Sequence, residues 1–181
     1  MMLHRFTYCL LLASLFLACG EAASPGEAAA TSSNGVPAAT TVYLVRHAEK
    51  DLQDPSDDPP LTPEGKARAA KLAVLLKDVP FDGIFSTGYD RNLSTVMPLA
   101  RQKNLDITPY EWYEWQPLIE RIRSAPGGQT FLICGHGDNL LPMIKVLGAR
   151  PPLDALGNHE YDKLFVVSFL PEGSEVEMQT F

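Results

Sequence analysis

Two histidines stand in matching settings. His47 follows Arg46 directly after the run at residues 41–45, and His136 stands between Gly135 and Gly137 directly after residues 130–134. Each run is short, apolar and rich in β-branched or aromatic residues, the composition of a strand buried on both faces. Open α/β sheets take their ligands outside the carboxyl ends of such strands. The guanidinium of Arg46 is a planar fork of donors that matches phosphate oxygens. Arg91 offers a second fork where a helix is expected to start, and helix N-termini favour anions. Taken alone, His47 could be a nucleophile, a general base, a metal ligand or a core histidine. The adjacent Arg46 cation disfavours a divalent metal, and glycines around His136 permit close backbone approach. Arg46, His47, Arg91 and His136 at one sheet edge describe a metal-free anion pocket.

The elements that would hold these residues alternate between strand and helix. Thr62-Pro63-Glu64 predicts a helix with Thr62 as N-cap and Pro63 in the first turn. Its apolar face is read as Ala67, Ala70, Leu72, Val74, Leu75 and Leu76. A strand at Gly83-Ile84-Phe85 leads to a helix carrying Arg91, with Leu93, Val96, Met97, Leu99 and Ala100 inward. A third or edge strand is expected at 105–110, a helix at 140–147 closed by Gly148, and the last strand within 163–170. The pattern predicts an α/β fold: a three-layer α/β/α sandwich with a mostly parallel central sheet.

Residues 1–18 have a basic start, a short apolar core and a small-residue cleavage site, as in a secretory signal peptide too short to be a good membrane span. Leu15-Phe16-Leu17-Ala18-Cys19 resembles a bacterial lipoprotein signal, with Cys19 as the lipid-modified first residue of the mature chain. The expected location is therefore periplasmic, anchored to the outer membrane of a Gram-negative bacterium through Cys19. Residues 19–40 read as an Ala/Ser/Gly/Pro tether, and residues 41–181 as one domain. Loss of the leader's single arginine makes the charge one unit more negative than the −7 of the whole chain. An acidic protein without a basic stripe is a poor match for nucleic acid. With Cys9 in the leader and Cys19 lipidated, Cys134 is left as one buried thiol, so no disulfide framework is expected.

Four blocks, Leu44-Val45-Arg46-His47-Ala48-Glu49-Lys50, Leu61-Thr62-Pro63-Glu64-Gly65, Ile84-Phe85-Ser86-Thr87 with Arg91, and Cys134-Gly135-His136-Gly137, resemble the histidine phosphatase superfamily with its phosphoglycerate mutase-like fold. Ala48 stands where the Arg-His-Gly signature has glycine, as in the small phosphohistidine phosphatases. The resemblance implies hydrolysis of phosphomonoesters or phosphohistidine without metal or cofactor. His47 would be the nucleophile forming a phosphohistidine intermediate, with Arg46, Arg91 and His136 binding the phosphate. His47 must be neutral at the attacking nitrogen, so a backbone carbonyl or carboxylate is expected at its other N–H.

Glu111 is chosen as the acid that protonates the leaving group, ahead of Glu114 and of Asp138, whose bland reading is an N-cap. The bland reading of Glu111 is a solvated charge. Asp51, Asp54, Asp57 and Asp58 read as a solvated loop at the site entrance rather than a cation site, His159 as a surface residue, and Trp112 and Trp115 as packing. Two rival readings remain: an anion-binding envelope protein that does not turn over, and a metal-dependent hydrolase built on His136, Asp138 and the acidic loop. The expected partner is a phosphorylated small molecule or phosphohistidine. No nucleic acid or protein partner is implied, and membrane contact is expected only through Cys19.

Overall fold

The computed structural model describes residues 38–170 and 173–181. The signal peptide, Cys19 and most of the tether lie outside the described residues. Alternating apolar segments build ten elements: β1 (Thr40–Arg46), α1 (Pro63–Leu75), β2 (Gly83–Thr87), α2 (Asp90–Lys103), β3 (Ile107–Tyr110), α3 (Gln116–Arg123), β4 (Thr130–Gly135), α4 (Leu140–Val146), β5 (Lys163–Leu170) and β6 (Gly173–Thr180). They form one six-stranded sheet in the order β3-β2-β4-β1-β5-β6. The four strands from β3 to β1 run parallel, and β5 and β6 are antiparallel.

Side-chain alternation on the central strands splits the core into two layers. Val42, Leu44, Phe131, Ile133 and Phe165 face one side, where α3 and α4 pack through Leu118, Ile119, Leu140 and Ile144. Val45, Ile84, Leu132, Cys134 and Leu164 face the other, under Leu72 and Leu76 of the α1 segment and Val96 and Leu99 of α2. This is the three-layer α/β/α arrangement that the sequence predicts.

Four local expectations are corrected. The helix α1 buries Gly65, Ala69, Leu72 and Ala73, while Val74 and Leu75 are exposed. Ala67 and Ala70 also face solvent. A period of 3.6 through Leu72 and Leu76 selects the first set, and a run of consecutive apolar residues obscures that period. The last strand is β6, not β5. Its sequence is mostly polar because it lies at the sheet edge, and only the pairing with β5 makes it a strand. The strand β1 starts at Thr40, inside the expected tether, and Ala38 packs against Gly127 and Gly128. In α2, the polar Asn92 and Thr95 are as buried as Val96 and Leu99, for reasons that lie in the site.

Candidate active site

Register delivers the site. In the parallel pair β1–β4, Arg46 lies opposite Gly135, so the two strands end together and His47 and His136 emerge side by side. The backbone N–H of His47 donates to the Gly135 carbonyl at 3.1 Å. The imidazole rings stand 5.5 Å apart between centroids. They face a cleft of about 600 Å³ that is also lined by Arg46, Lys50, Arg91 and Asp138.

His47 is buried, and its Nδ1 lies 2.8 Å from the Ala48 carbonyl. A carbonyl only accepts, so Nδ1 carries the proton and Nε2 keeps its lone pair. Burial pushes the imidazole down to about 3, with the positive charge of Arg46 adding and the Ala48 bond opposing. His136 is pushed down to about 4, by burial first and then by Arg91. Its Nε2 is 3.0 Å from the Thr87 hydroxyl, and its backbone N–H donates to Asn139 Oδ1 at 2.9 Å. Asn139, rather than Asp138, is the N-cap residue of α4, which corrects the capping reading of Asp138.

Each arginine is anchored through one terminal nitrogen. Arg46 donates from one terminal nitrogen to the Gly157 carbonyl at 2.9 Å, and its guanidinium lies 4.5 Å from the Tyr161 ring centroid. Arg91 donates to Asp58 Oδ1 at 2.9 Å. In both, the buried Nε has no partner. Buried donors without acceptors are costly, so two at one cleft describe a place for an anion.

The sequence reading missed the supporting residues. Asp58 leaves the acidic loop to pair with Arg91, and its other oxygen accepts the Asp90 N–H at 2.7 Å, capping α2 from outside. Asp51 and Asp54 accept instead from their own loop, at the N–H groups of Gln53 and Ser56. The amide of Asn92 donates to the Gly135 carbonyl at 2.9 Å. The Ala48 N–H donates to the Thr95 hydroxyl at 2.9 Å, which in turn donates to the Arg91 carbonyl at 2.7 Å. Polar residues on the buried face of an apolar-periodic helix were the available signal. Glu49, inside the first block, is bound by Arg68 of α1 through Nε at 2.8 and 3.0 Å.

The three candidate acids are separated in space. Asp138 lines the cleft. Glu111 lines an adjoining pocket together with Thr87, Tyr89 and Trp112. Glu114 is exposed and lines neither. Trp115 packs against the core as expected, but Trp112 is 40% exposed and forms a wall of that second pocket. His159 is exposed. Cys134 is a fully buried free thiol, pushed up to about 12 by burial. Among the described residues, no group of three or more His, Cys, Asp or Glu is arranged to hold a metal ion.

The fold and this cleft define a class: a parallel-centred α/β sheet with two histidines and two arginines converging on an anion site at its carboxyl edge. Residues 42–116, the segment carrying Arg46, His47 and Arg91, match the model of the Histidine phosphatase superfamily (branch 1). His136 lies beyond the matched residues. Solved structures share the fold. Mycobacterial glucosyl-3-phosphoglycerate phosphatase aligns at 16% identity over 78% of this chain and 97% of its own, with a TM-score of 0.60. YhfR of Bacillus stearothermophilus aligns at 19% over 77% and 96%, with a TM-score of 0.61. Phosphoglycerate mutase of Bacillus anthracis aligns at 15% over 80% and 93%, with a TM-score of 0.58. No curated protein sequence matches the chain. The superfamily match supports phosphatase activity in general.

Proposed function

We propose that the protein is a metal-independent phosphatase acting on a phosphomonoester or phosphohistidine through a covalent intermediate on His47. The observation that carries this reading is a neutral His47, its Nδ1 proton tied to Ala48, beside two buried arginine N–H groups that lack acceptors. Nε2 attacks phosphorus, an N–P bond forms, and the bond to the leaving group breaks. Arg46 and Arg91 hold the equatorial oxygens and offset the charge that develops there. In the tautomer in which Nε2 of His136 accepts from the Thr87 hydroxyl, Nδ1 carries a proton for a phosphate oxygen. Water then attacks the phosphohistidine, the N–P bond breaks, and phosphate leaves.

The acid is assigned to Asp138 in preference to Glu111, since Asp138 lines the cleft and has no capping duty. It protonates the departing oxygen and takes a proton from the attacking water. We also propose that Cys19 carries a lipid that anchors the domain in the periplasm, a reading supported by the sequence around that cysteine.

The test is hydrolysis of an aryl phosphate by the protein in excess chelator, beside His47→Ala. Activity in the first and a loss of at least about 10³-fold in the variant is the expected result. Activity abolished by the chelator would overturn metal independence, and equal rates in both would overturn the role of His47. Asp138→Asn should lower kcat on alkyl esters more than on aryl esters, whose leaving groups need less protonation.

A further inference from the structure

The cleft at His47 has a neighbour. Beyond Thr87 and His136 lies a pocket of about 260 Å³ lined by Tyr89, Tyr110, Glu111, Trp112 and Tyr113, with no basic residue in its lining. Its walls are fixed to the catalytic cleft. The Tyr89 ring meets the His136 ring edge-on at 5.4 Å, and Trp112 meets it at 6.4 Å. Tyr110 donates its hydroxyl to the Cys134 carbonyl, in the strand that ends at Gly135. Trp112 and Tyr113 stand edge to face at 5.8 Å and both reach solvent. Glu111 takes part in none of the ion pairs of the described residues.

The two spaces have opposite chemistry. The cleft holds Arg46, Arg91, Lys50 and Lys145 and suits an anion. The aromatic pocket offers electron-rich ring faces and one carboxylate, the combination that binds quaternary and alkylammonium groups. The Arg91 guanidinium already lies over the Tyr89 ring at 4.2 Å, so the ring faces left for a ligand are those of Trp112, Tyr113 and Tyr110. A neutral aromatic ligand would leave Glu111 without use. An anionic ligand would be repelled by it.

From this juxtaposition we propose that the aromatic pocket binds an ammonium group on the leaving alcohol, making the substrate a zwitterionic phosphate ester of a short amino alcohol. The proposal rests on the phosphatase reading and gives it a substrate class. Glu111 then acts as a carboxylate facing the cation, while proton transfer stays with Asp138. Tyr89 and Trp112, which line the pocket, both contact the His136 ring at the cleft, so phosphate and ammonium sites adjoin.

The experiment compares choline phosphate with its uncharged carbon isostere, 3,3-dimethylbutyl phosphate, which has the same shape and leaving oxygen. The expected kcat/KM ratio favours the cationic ester by about tenfold and falls toward one in Glu111→Gln and in Trp112→Leu. A ratio near one in the unaltered protein, or one that both variants leave unchanged, would overturn the proposal. If neither ester is hydrolysed, the phosphatase reading fails on these substrates and the pocket is tested alone. Choline is titrated against Trp115→Phe, which leaves Trp112 as the only indole of the two in the chain. A saturable fluorescence change that Glu111→Gln removes supports the ammonium site. Its absence overturns it.

Discussion

The Nδ1 nitrogen of His47 donates to the carbonyl of Ala48, its own neighbour in the chain, at 2.8 Å. The bond uses no other side chain, so the tautomer is set by the backbone turn at the end of β1. It leaves Nε2 free on a ring that burial keeps neutral.

That neutrality makes stability depend on pH with a defined sign. His47 and His136 titrate at about 3 and about 4 in the folded protein, against an ordinary 6.5. Between those values the unfolded chain binds more protons than the folded one, so the stabilisation is fully present above 6.5 and is lost as pH falls toward 4. The melting temperature should hold steady from pH 7 to 8 and drop between pH 6.5 and 4. His47→Gln, which cannot titrate, should give a shallower drop. A flat melting temperature over that acid range would contradict the neutral assignment.

Asp58 is expected to act through Arg91. Its carboxylate bonds the guanidinium and the first N–H of α2 at once, so its loss both frees Arg91 and uncaps the helix. Asp58→Asn should raise KM several-fold with a smaller change in kcat, because the phosphate-binding fork is less well held. Asp58→Ala should also cost about 1 kcal/mol of stability through the cap, and more where the buried Arg91 guanidinium loses its partner. Steady-state kinetics and urea unfolding on the two variants separate the effects. A kcat loss with KM unchanged would place Asp58 elsewhere in the reaction.

Gly135 has no room for a side chain. A Cβ there would lie 2.5 Å from Asn139 Oδ1, 2.9 Å from Leu140 Cδ2 and 3.0 Å from the Tyr110 hydroxyl. Gly135→Ala should therefore displace the Asn139 oxygen that holds the His136 N–H, with a cost of about 1–3 kcal/mol and at least about tenfold in kcat/KM. Gly88→Ala is the control, since a Cβ at Gly88 meets nothing within 4 Å. Equal effects at the two glycines would remove the steric explanation.

Cys19→Ser in the full chain should release the protein from the membrane fraction if the cysteine carries the lipid. Fractionation of cells expressing the two forms, with a labelled fatty acid as tracer, is the measurement. Unchanged partitioning and no label on the unaltered chain would mean plain secretion or no export.

Much of the scaffold was legible in the sequence because it is encoded locally. Buried strands are continuous apolar runs, so β1, β4 and β5 could be read within a residue or two, and Thr62-Pro63 marked the start of α1. The meeting of Arg46, His47, Arg91 and His136 at one cleft was legible for a similar reason: each stands at the end of a strand or the start of a helix, at the sheet edge. The strand β6 was hidden because an edge strand with one solvated face needs few apolar residues and is defined by its partner β5. Asp58, Asn92 and Thr95 were hidden because hydrogen bonds to residues distant in sequence have no periodicity.

The division of the carboxylates was decided by tertiary structure alone. Asp138 follows His136 by two residues, and Glu111 follows β3 directly, so sequence distance and element order each favoured a different acid. The choice depends on how the loop after β3 lies against the start of α4. That packing puts Asp138 in the cleft and Glu111 in the aromatic pocket beside it. Residue types and local periodicity determined the central strands, the order of the helices and which side chains gather at the sheet edge. Which charged group faces which space is set by contacts between segments far apart in the chain, and no local pattern records them.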